Sequence, residues 1–191
     1  MTREHLARLI ADVALLRGTF TLRSGRTSSY YLDKYLFSTR PECLREIARL
    51  FAERIGALSA VPREGWIDPV RGTPGADRLA GAELGGIPLV TAASLETGLP
   101  CVFIRNQKKD YGTAKQLEGA LEPGERVVML EDVATTGGQA LEAADVLRAA
   151  GAEVIAVIAV IDRQEGAREN IEKAGLRFDA LFTKADLGIR E

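Results

Sequence analysis

The chain has 191 residues, 46% of them apolar and 27% charged, which is the balance of a globular domain and not of a disordered or fibrous chain. Lys and Arg number 25 against 27 Asp and Glu, so the net charge of −2 gives no overall attraction to nucleic acid or an acidic membrane surface. The sequence shows neither an apolar run of roughly 18 residues nor a signal-peptide pattern. We therefore expect one cytoplasmic domain over residues 1–191, without nucleic-acid or membrane partners.

Histidine and cysteine are too rare to support a catalytic triad with histidine or a metal site with cysteine ligands. His5 is the one histidine of the sequence, and its place in a charged amphipathic segment predicts a surface residue, which excludes triads that need histidine. Cys43 and Cys101 lie far apart with no second ligand at metal-binding spacing, so we expect two reduced, buried thiols.

The first predicted elements are two amphipathic helices. Apolar residues spaced three and four apart predict a helix from Thr2 to about Gly18, and the same spacing predicts a second from Pro41 to Gly56. A segment rich in turn residues and aromatics separates the two. Residues 57–75 contain "WIDPVRGTPG", whose prolines and glycines interrupt any regular pattern, and they predict an irregular connection.

From there on, short apolar segments alternate with helical ones. The apolar segments cover residues 78–82, 101–105, 126–130, 153–161 and 179–183, and the helical ones cover 87–96, 138–151 and 167–175. Strands that are apolar on both faces are typical of a parallel sheet covered by helices on each side. The pattern predicts an α/β open sheet, in which ligands bind beyond the carboxyl ends of the strands.

Glu131 and Asp132 follow the apolar strand 127–130, at the predicted ligand-binding edge. The next turn, "ATTGGQ" at 134–139, offers two hydroxyls and two glycines directly before a helix, and converging N–H groups at a helix amino terminus suit a phosphate. Carboxylates accept hydrogen bonds from ribose hydroxyls and attract Mg²⁺. The pattern therefore indicates a sugar phosphate, with an ordinary strand-to-helix turn capped by acids as the alternative.

"VVMLEDVATTGGQ" (127–139) closely resembles the segment with which type I phosphoribosyltransferases bind phosphoribosyl pyrophosphate (PRPP). Four more segments resemble the orotate phosphoribosyltransferase family, in the family's order. They are the amino-terminal segment "FTLRSGRTSSYYLDKY" (20–35), the pyrophosphate loop "AGAELGGIPL" (80–89), the mobile catalytic loop "FIRNQKKDYGTAKQLEG" (103–119) and the base-binding strand end "VIDRQEGARE" (160–169). The resemblance, from about residue 2 to 185, implies a type I phosphoribosyltransferase-like fold. Such a fold is an open, mostly parallel sheet flanked by helices, with a small N-terminal hood segment.

The resemblance also implies an activity and its partners. A member of this family transfers the phosphoribosyl group of PRPP to orotate, giving orotidine 5′-monophosphate and pyrophosphate in pyrimidine biosynthesis. Mg²⁺ would be carried on PRPP, near Glu131 and Asp132 but with no direct protein ligand. The mobile loop in relatives reaches into the neighbouring subunit's site, which implies a homodimer with shared active sites.

Site residues follow from the resemblance position by position. The PRPP contacts would be Glu131, Asp132, Thr135, Thr136, Gly137, Gly138, Gln139, Glu83, Gly85, Gly86, Lys108 and Tyr111. The orotate contacts would be Arg163, Thr135, Arg23, Tyr30 and Tyr31, and the catalytic residues Lys109, Asp132 and Arg105. Arg163 can donate two hydrogen bonds to the orotate carboxylate. The alternative role for Arg163 is a structural ion pair with Asp162.

The mobile loop fits a role in binding pyrophosphate, with departures from the family. Residues 105–115 hold four basic side chains and one acidic one, a local charge of 4 − 1 = +3 that suits pyrophosphate, although a solvated charged loop has the same composition. Asn106 stands where a lysine is common, Tyr111 where a histidine is frequent, and Gly85 where some relatives carry lysine.

Two alternative functions fit part of the pattern. A phosphoribosyltransferase for another base would keep the PRPP site and would not need Arg163. A regulator that senses PRPP would add a nucleic-acid-binding domain or a basic patch. The sequence shows neither, because its one dense cationic cluster is the loop at 105–115.

Overall fold

A computed structural model of the chain describes residues 1–21, 27–58, 75–107 and 116–189. The amino-terminal part consists of helix α1 (Arg3–Ala14), strands β1 (Leu15–Thr21) and β2 (Thr27–Leu32), and helices α2 (Lys34–Ser38) and α3 (Pro41–Leu58). Most of the stretch predicted as an irregular connection, residues 59–74, lies outside the described ranges.

The first helix is shorter than its apolar spacing predicted. It ends at Ala14 instead of near Gly18, because the next residues form β1, which pairs antiparallel with β2. Leu16, which the spacing placed on the helix, lies opposite Tyr31 in this two-stranded sheet. Thr2 begins α1 as predicted, and its hydroxyl accepts a hydrogen bond from the His5 N–H at 3.2 Å.

The rest of the chain forms the main sheet and its helices. Its elements are β3 (Arg78–Ala82), α4 (Gly86–Thr97), β4 (Cys101–Ile104), β5 (Leu117–Glu118), β6 (Arg126–Ala134), α5 (Gly138–Ala149), β7 (Glu153–Asp162), α6 (Ala167–Lys173), β8 (Arg177–Thr183) and a 3₁₀ helix (Ala185–Leu187). All five predicted strands and all three predicted helices of this part are present. The two-residue strand β5 was not predicted, and β6 runs to Ala134, so the acidic pair lies inside the strand instead of after it.

The six strands lie in the order β5-β4-β3-β6-β7-β8, and all pair in parallel except β5, which is antiparallel to β4. The chain runs outward from β3 to β4 on one side and from β6 to β8 on the other. The order therefore reverses between β3 and β6, and open α/β sheets bind ligands at such a reversal, beyond the carboxyl ends of the strands.

Helices cover both faces of this sheet, as the apolar strands predicted. Val128 and Leu130 of β6 pack into the cluster that includes α1, α3 and α4, whereas Val127 and Met129 pack into the cluster with α5 and α6. All four side chains are fully buried. The α/β open-sheet prediction is confirmed. Among the described residues, no helix is both long and apolar enough to cross a membrane.

Candidate active site

Asp132 is the most deeply buried acid of the site. It is 1% exposed, its Oδ1 accepts the Val133 N–H at 2.6 Å, and its Oδ2 lies 2.8 Å from the Nζ of Lys34 at the start of α2. Lys34 therefore compensates a carboxylate that would be costly to bury alone. The pairing joins the amino-terminal part of the chain to the centre of the main sheet.

Glu131 has different surroundings from its neighbour. Its Oε1 accepts the Asp132 N–H at 3.3 Å, and both side chains line the space above the sheet. Burial of the group, with the Asp132 charge as a second cause, raises the pKa of Glu131 to about 8. A pKa raised in this way favours the protonated form of Glu131 near neutral pH, and a protonated carboxyl group can donate as well as accept a hydrogen bond.

The turn after β6 has the geometry of an anion site. Gly137 precedes α5 with a positive φ of 79°, and no side chain of the described residues caps the first turn of that helix. Asn170 of α6 holds the turn in place by donating from its side-chain amide to the Thr136 carbonyl at 2.9 Å. The uncapped N–H groups of the turn can therefore bind a phosphate.

Arg163 follows β7 and is held by two partners. Its Nη2 lies 2.9 Å from the Tyr30 hydroxyl and 2.9 Å from Glu165 Oε1, and its guanidinium carbon lies 5.1 Å from the centre of the Tyr30 ring. Asp162, the ion-pair partner weighed in the sequence analysis, instead accepts the Gln164 N–H at 2.7 Å. The buried Nε of Arg163 has no hydrogen-bond partner among the described residues, which leaves donor capacity for a ligand.

Close packing explains the glycines of the β3–α4 loop. A Cβ on Gly85 would lie 1.6 Å from Asp132 Oδ2, so no side chain fits there unless the carboxylate moves. Gly86 is buried and packs against Gly81 of β3, where an added Cβ would lie 3.1 Å from backbone atoms. Of these two, only Gly85 lines the cavity next to the acidic pair.

Arg105 begins the loop that continues beyond the described residues. Its N–H donates to the Gln116 carbonyl at 2.8 Å, and the Gln116 side chain donates back to its carbonyl at 3.0 Å, so the two ends of the loop are joined. Next to it, the Asn106 N–H donates to Glu83 Oε1 at 2.6 Å. Glu83 is therefore hydrogen-bonded to the start of this loop, and Glu83, Arg105 and Asn106 line the same cavity.

Two adjacent cavities meet at the acidic pair. The larger, about 550 Å³, is lined by Tyr31, the turn residues Thr135, Thr136, Gly137, Gly138 and Gln139, and Arg163. The smaller, about 70 Å³, is lined by Glu83, Gly85, Arg105 and Asn106 among others. Lys34, Glu131, Asp132 and Gln139 line both. Tyr30 is buried at 7% exposure and reaches the site through Arg163, whereas Tyr31 is 45% exposed and faces the larger cavity directly.

The acidic pair does not form a metal centre by itself. The described residues contain no group of three or more His, Cys, Asp or Glu side chains able to hold a metal ion. Asp132 is already paired with Lys34. The donor set thus fits a divalent cation that arrives on a ligand and is neighboured by the two carboxyl groups.

Comparison with known proteins identifies the family of the chain. The sequence model of the phosphoribosyl transferase domain matches residues 39–175. The chain is 44% identical over 188 residues to orotate phosphoribosyltransferase from Natronomonas pharaonis, covering 98% of each protein, and 45% identical to that from Halobacterium salinarum, covering 97% and 96%. This chain belongs to the orotate phosphoribosyltransferase family. Because the identity to these relatives extends over nearly the whole chain, the similarity is not the chance match of a single motif.

Solved members of the orotate phosphoribosyltransferase family share the whole fold. The enzyme from Mycobacterium tuberculosis, solved in complex with PRPP, superposes with a TM-score of 0.76 at 33% identity, covering 98% of this chain and 99% of that one. The enzyme from Aeropyrum pernix gives a TM-score of 0.78 at 30% identity, covering 96% of each chain. The small amino-terminal sheet, β1 and β2, corresponds to the predicted hood.

Four of the predicted site residues lie outside the part of the chain that the structure describes. They are Arg23, Lys108, Lys109 and Tyr111. Two residues of the site were not predicted, namely Lys34 and Glu165. Both occur in segments that carried the family resemblance, but only the folded chain brings them to Asp132 and Arg163. A lysine directly after a helix-capping Asp33 was the one local signal for Lys34.

Proposed function

We propose that this chain transfers the phosphoribosyl group of PRPP to orotate. The proposal rests above all on one cavity, which is lined by an uncapped glycine turn, a pair of carboxyl groups and Arg163, whose buried Nε has no partner among the described residues. Those are the groups required by a sugar phosphate together with a base that bears a carboxylate. Membership of the orotate phosphoribosyltransferase family supports the same conclusion.

Each part of PRPP has a matching group in the site. The uncapped N–H groups of the turn at 135–139 would bind the 5′-phosphate, and Glu131 and Asp132 would accept hydrogen bonds from the ribose hydroxyls. The diphosphate would then extend into the smaller cavity, toward Gly85 and Arg105. Lys108, Lys109 and Tyr111 stay proposed contacts of the diphosphate from the adjoining loop.

The base would occupy the side of the larger cavity that Arg163 lines. Its guanidinium can donate two parallel hydrogen bonds to the orotate carboxylate, with Thr135 and Tyr31 lining the same cavity. To do so, Arg163 exchanges its ion pair with Glu165 for the ligand, while Tyr30 keeps the guanidinium in place. Arg23 stays a proposed contact from the amino-terminal segment.

The reaction exchanges one bond of the ribose C1 carbon for another. The bond from C1 to the pyrophosphate oxygen breaks with both electrons leaving on pyrophosphate, and C1 bonds to the ring nitrogen of orotate, whose proton is released. As the bond breaks, C1 becomes cationic and the leaving group gains charge, so positive groups around the diphosphate stabilise the transition state. Mg²⁺ carried on PRPP, near Glu131 and Asp132, would neutralise part of that charge.

The assembly and the location of the protein stay predictions. We propose a homodimer with shared active sites, supported by the membership of the orotate phosphoribosyltransferase family. Sedimentation equilibrium at micromolar concentration should give twice the chain mass, and a monomer that is fully active would contradict it. We likewise propose one catalytic domain acting in the cytoplasm.

The decisive experiment follows the ultraviolet absorbance of orotate with purified protein, PRPP and Mg²⁺, and with PRPP left out as a control. Orotate should be consumed only when PRPP is present. Arg163→Ala should raise the KM for orotate by about 10-fold to 100-fold, the worth of a charge-assisted hydrogen bond of about 1.5–3 kcal/mol. Arg148→Ala, at an exposed arginine near the end of α5, is the matched control and should leave the KM unchanged.

Two results would contradict the proposal. Binding of PRPP without loss of orotate would indicate another base or a PRPP sensor, and a screen of purine and pyrimidine bases would separate these. An unchanged KM for orotate in Arg163→Ala would show that the carboxylate is recognised elsewhere.

A further inference from the structure

Lys34 occupies the boundary between the two cavities of the site. It is the first residue of α2, after the Asp33 cap, and its side chain lines both the larger and the smaller cavity. Its Nζ lies 2.8 Å from Asp132 Oδ2, while a third of the side chain stays exposed, at 33%. The ammonium thus has one fixed partner and an open side that faces ligand space.

The glycine at position 85 leaves room for this ammonium. A Cβ on Gly85 would lie 3.3 Å from Lys34 Nζ and 1.6 Å from Asp132 Oδ2, so the glycine, the carboxylate and the ammonium share one small volume. The rest of the loop supplies no cation, since Glu83 is an acid bonded to the Asn106 N–H and Leu84 is exposed and apolar. A positive charge beside this loop has to come from another element.

The smaller cavity is short of positive charge for a diphosphate. Among the described residues, its lining includes four acids, Glu83, Glu131, Asp132 and Glu142, and two cations, Lys34 and Arg105. Arg105 has an acidic partner as well, because its Nη1 lies 3.7 Å from Glu118 Oε1. Lys34 is consequently one of only two described cations that can meet a diphosphate placed in this cavity.

Lys34 keeps its charge in these surroundings. Burial alone would lower the pKa of Lys34, yet the Asp132 carboxylate, which attracts the ammonium and accepts its hydrogen bond, outweighs burial and raises the pKa above its ordinary value. The side chain can therefore act as a cation for Asp132 when the site is empty. It can also act as a cation for a phosphate when a ligand is present, because an ammonium carries three donors on a flexible stem.

We propose that Lys34 binds the diphosphate group of PRPP and of the product pyrophosphate, supplying the cation that the β3–α4 loop lacks. In the empty site it neutralises Asp132. When PRPP binds, the ribose hydroxyls become the donors to Asp132, and the ammonium turns toward the diphosphate. This inference rests on the proposed function for its ligand, but it concerns binding and not turnover.

Binding of three ligands by calorimetry tests the proposal: pyrophosphate with Mg²⁺, PRPP with Mg²⁺, and ribose 5-phosphate, which has no diphosphate. In Lys34→Gln the amide can still donate to Asp132, so the fold keeps its contact while the charge is lost. We expect affinity for pyrophosphate and for PRPP to fall about tenfold or more, with ribose 5-phosphate changed less than about twofold. Lys34→Arg, which restores the charge, should recover most of the pyrophosphate affinity.

Lys173→Gln provides the matched control, because Lys173 is an exposed lysine in the last turn of α6, away from both cavities. It should change none of the three affinities. Unchanged pyrophosphate binding in Lys34→Gln would overturn the proposal. So would an equal loss of ribose 5-phosphate and pyrophosphate binding, since Lys34 would then act only by positioning Asp132. A wild-type protein that binds pyrophosphate through Lys34 but does not consume orotate would refute the proposed function and leave this inference standing.

Discussion

Glu131 and Asp132 are neighbours in sequence, but their side chains have different electrostatic surroundings in the empty site. Asp132 is paired with the Lys34 ammonium at 2.8 Å, whereas burial and the nearby Asp132 charge raise the pKa of Glu131 to about 8. The ammonium of Lys34 therefore favours the charged form of Asp132, whereas burial favours the protonated form of Glu131. Two adjacent acids can share a small buried space because only one of them has to carry a charge.

This difference predicts how the stability of the ligand-free protein depends on pH. Between the unfolded pKa of Glu131, 4.5, and the folded value of about 8, the folded protein binds a proton that the unfolded chain has lost. The free energy of unfolding should therefore fall as pH rises through this window, by up to about 1.4 kcal/mol per pH unit from this group. Below and above the window the contribution should be constant.

Chemical unfolding of the wild type and of Glu131→Gln at a series of pH values reports this contribution, since groups that do not interact with Glu131 titrate equally in both. The difference between the two curves should change across the window and be flat above about pH 8. A constant difference from about pH 5 to about pH 9 would show that Glu131 is ionised in the folded protein.

At the scale of residues, sequence reasoning singled out groups that local pattern places near strand ends, and the structure brings several of them to the same two cavities. The acidic pair lies in the carboxyl-terminal half of β6, while the glycine turn and Arg163 follow β6 and β7, and the approximate ends of such strands can be read from runs of apolar residues. Lys34 and Glu165 could not be found in this way, because their contacts depend on the fold. Tyr30 and Arg163, which meet at 2.9 Å, are 133 residues apart in the chain.

At the scale of elements, α6 supports the turn that precedes α5. Asn170 donates to the Thr136 carbonyl, and Ile171 packs beneath Gly137, where a Cβ would lie 2.9 Å from the isoleucine side chain. Gly137 also has a φ of 79°, a backbone conformation that residues other than glycine adopt only with strain. Gly138, the first residue of α5, has no such constraint, and its nearest atom would be 3.8 Å away.

Alanine at these two adjacent glycines should have unequal effects on stability. Gly137→Ala should lower the free energy of unfolding by about 1–3 kcal/mol, because the new Cβ meets Ile171 and the backbone is strained. Gly138→Ala, the matched control, should stay within about 1 kcal/mol of the wild type or gain stability from helix propensity. Urea unfolding measures both, and equal losses in the two variants would show that the turn relaxes without cost.

The same scale shows where the element predictions were right and where they failed. Helices α3 and α5 and the five parallel strands were predicted because their apolar spacing extends over whole elements. Helix α1 was predicted too long, since Leu16 continues the helical spacing but pairs with Tyr31 of β2. Whether such residues extend a helix or form a strand is decided by the partner strand, which local spacing does not reveal.

At the scale of the whole molecule, the first helix is fastened to the last strand. Arg3 donates from Nε and Nη2 to the Leu181 carbonyl at 3.0 and 2.8 Å, and it pairs with Asp186 at 3.0 Å. Its guanidinium also lies 4.8 Å from the centre of the Phe182 ring. Since α1 leads into the small sheet that contains Tyr30, this contact ties that sheet to β8, the edge strand of the main sheet.

Loss of this attachment should weaken the protein as a whole. Arg3→Ala should lower the free energy of unfolding by about 1–2 kcal/mol, a value reduced from that of buried bonds because the side chain is 39% exposed. Arg40→Ala, which removes an exposed ion pair with Glu42, is the control and should cost less than about 0.5 kcal/mol. Thermal and urea unfolding would report both, and equal effects would mean that Arg3 contributes no more than a surface pair.

The long separation between Tyr30 and Arg163 has a consequence for the synthesis of the protein. A chain emerging from the ribosome exposes the tyrosine early, yet the arginine that it contacts follows β7, the second-last strand of the sheet. A truncated nascent chain that lacks β7 therefore also lacks the contact that the proposed function assigns to the base. On that proposal, protection of the nascent chain by orotate against proteolysis should begin only after β7 has been synthesised.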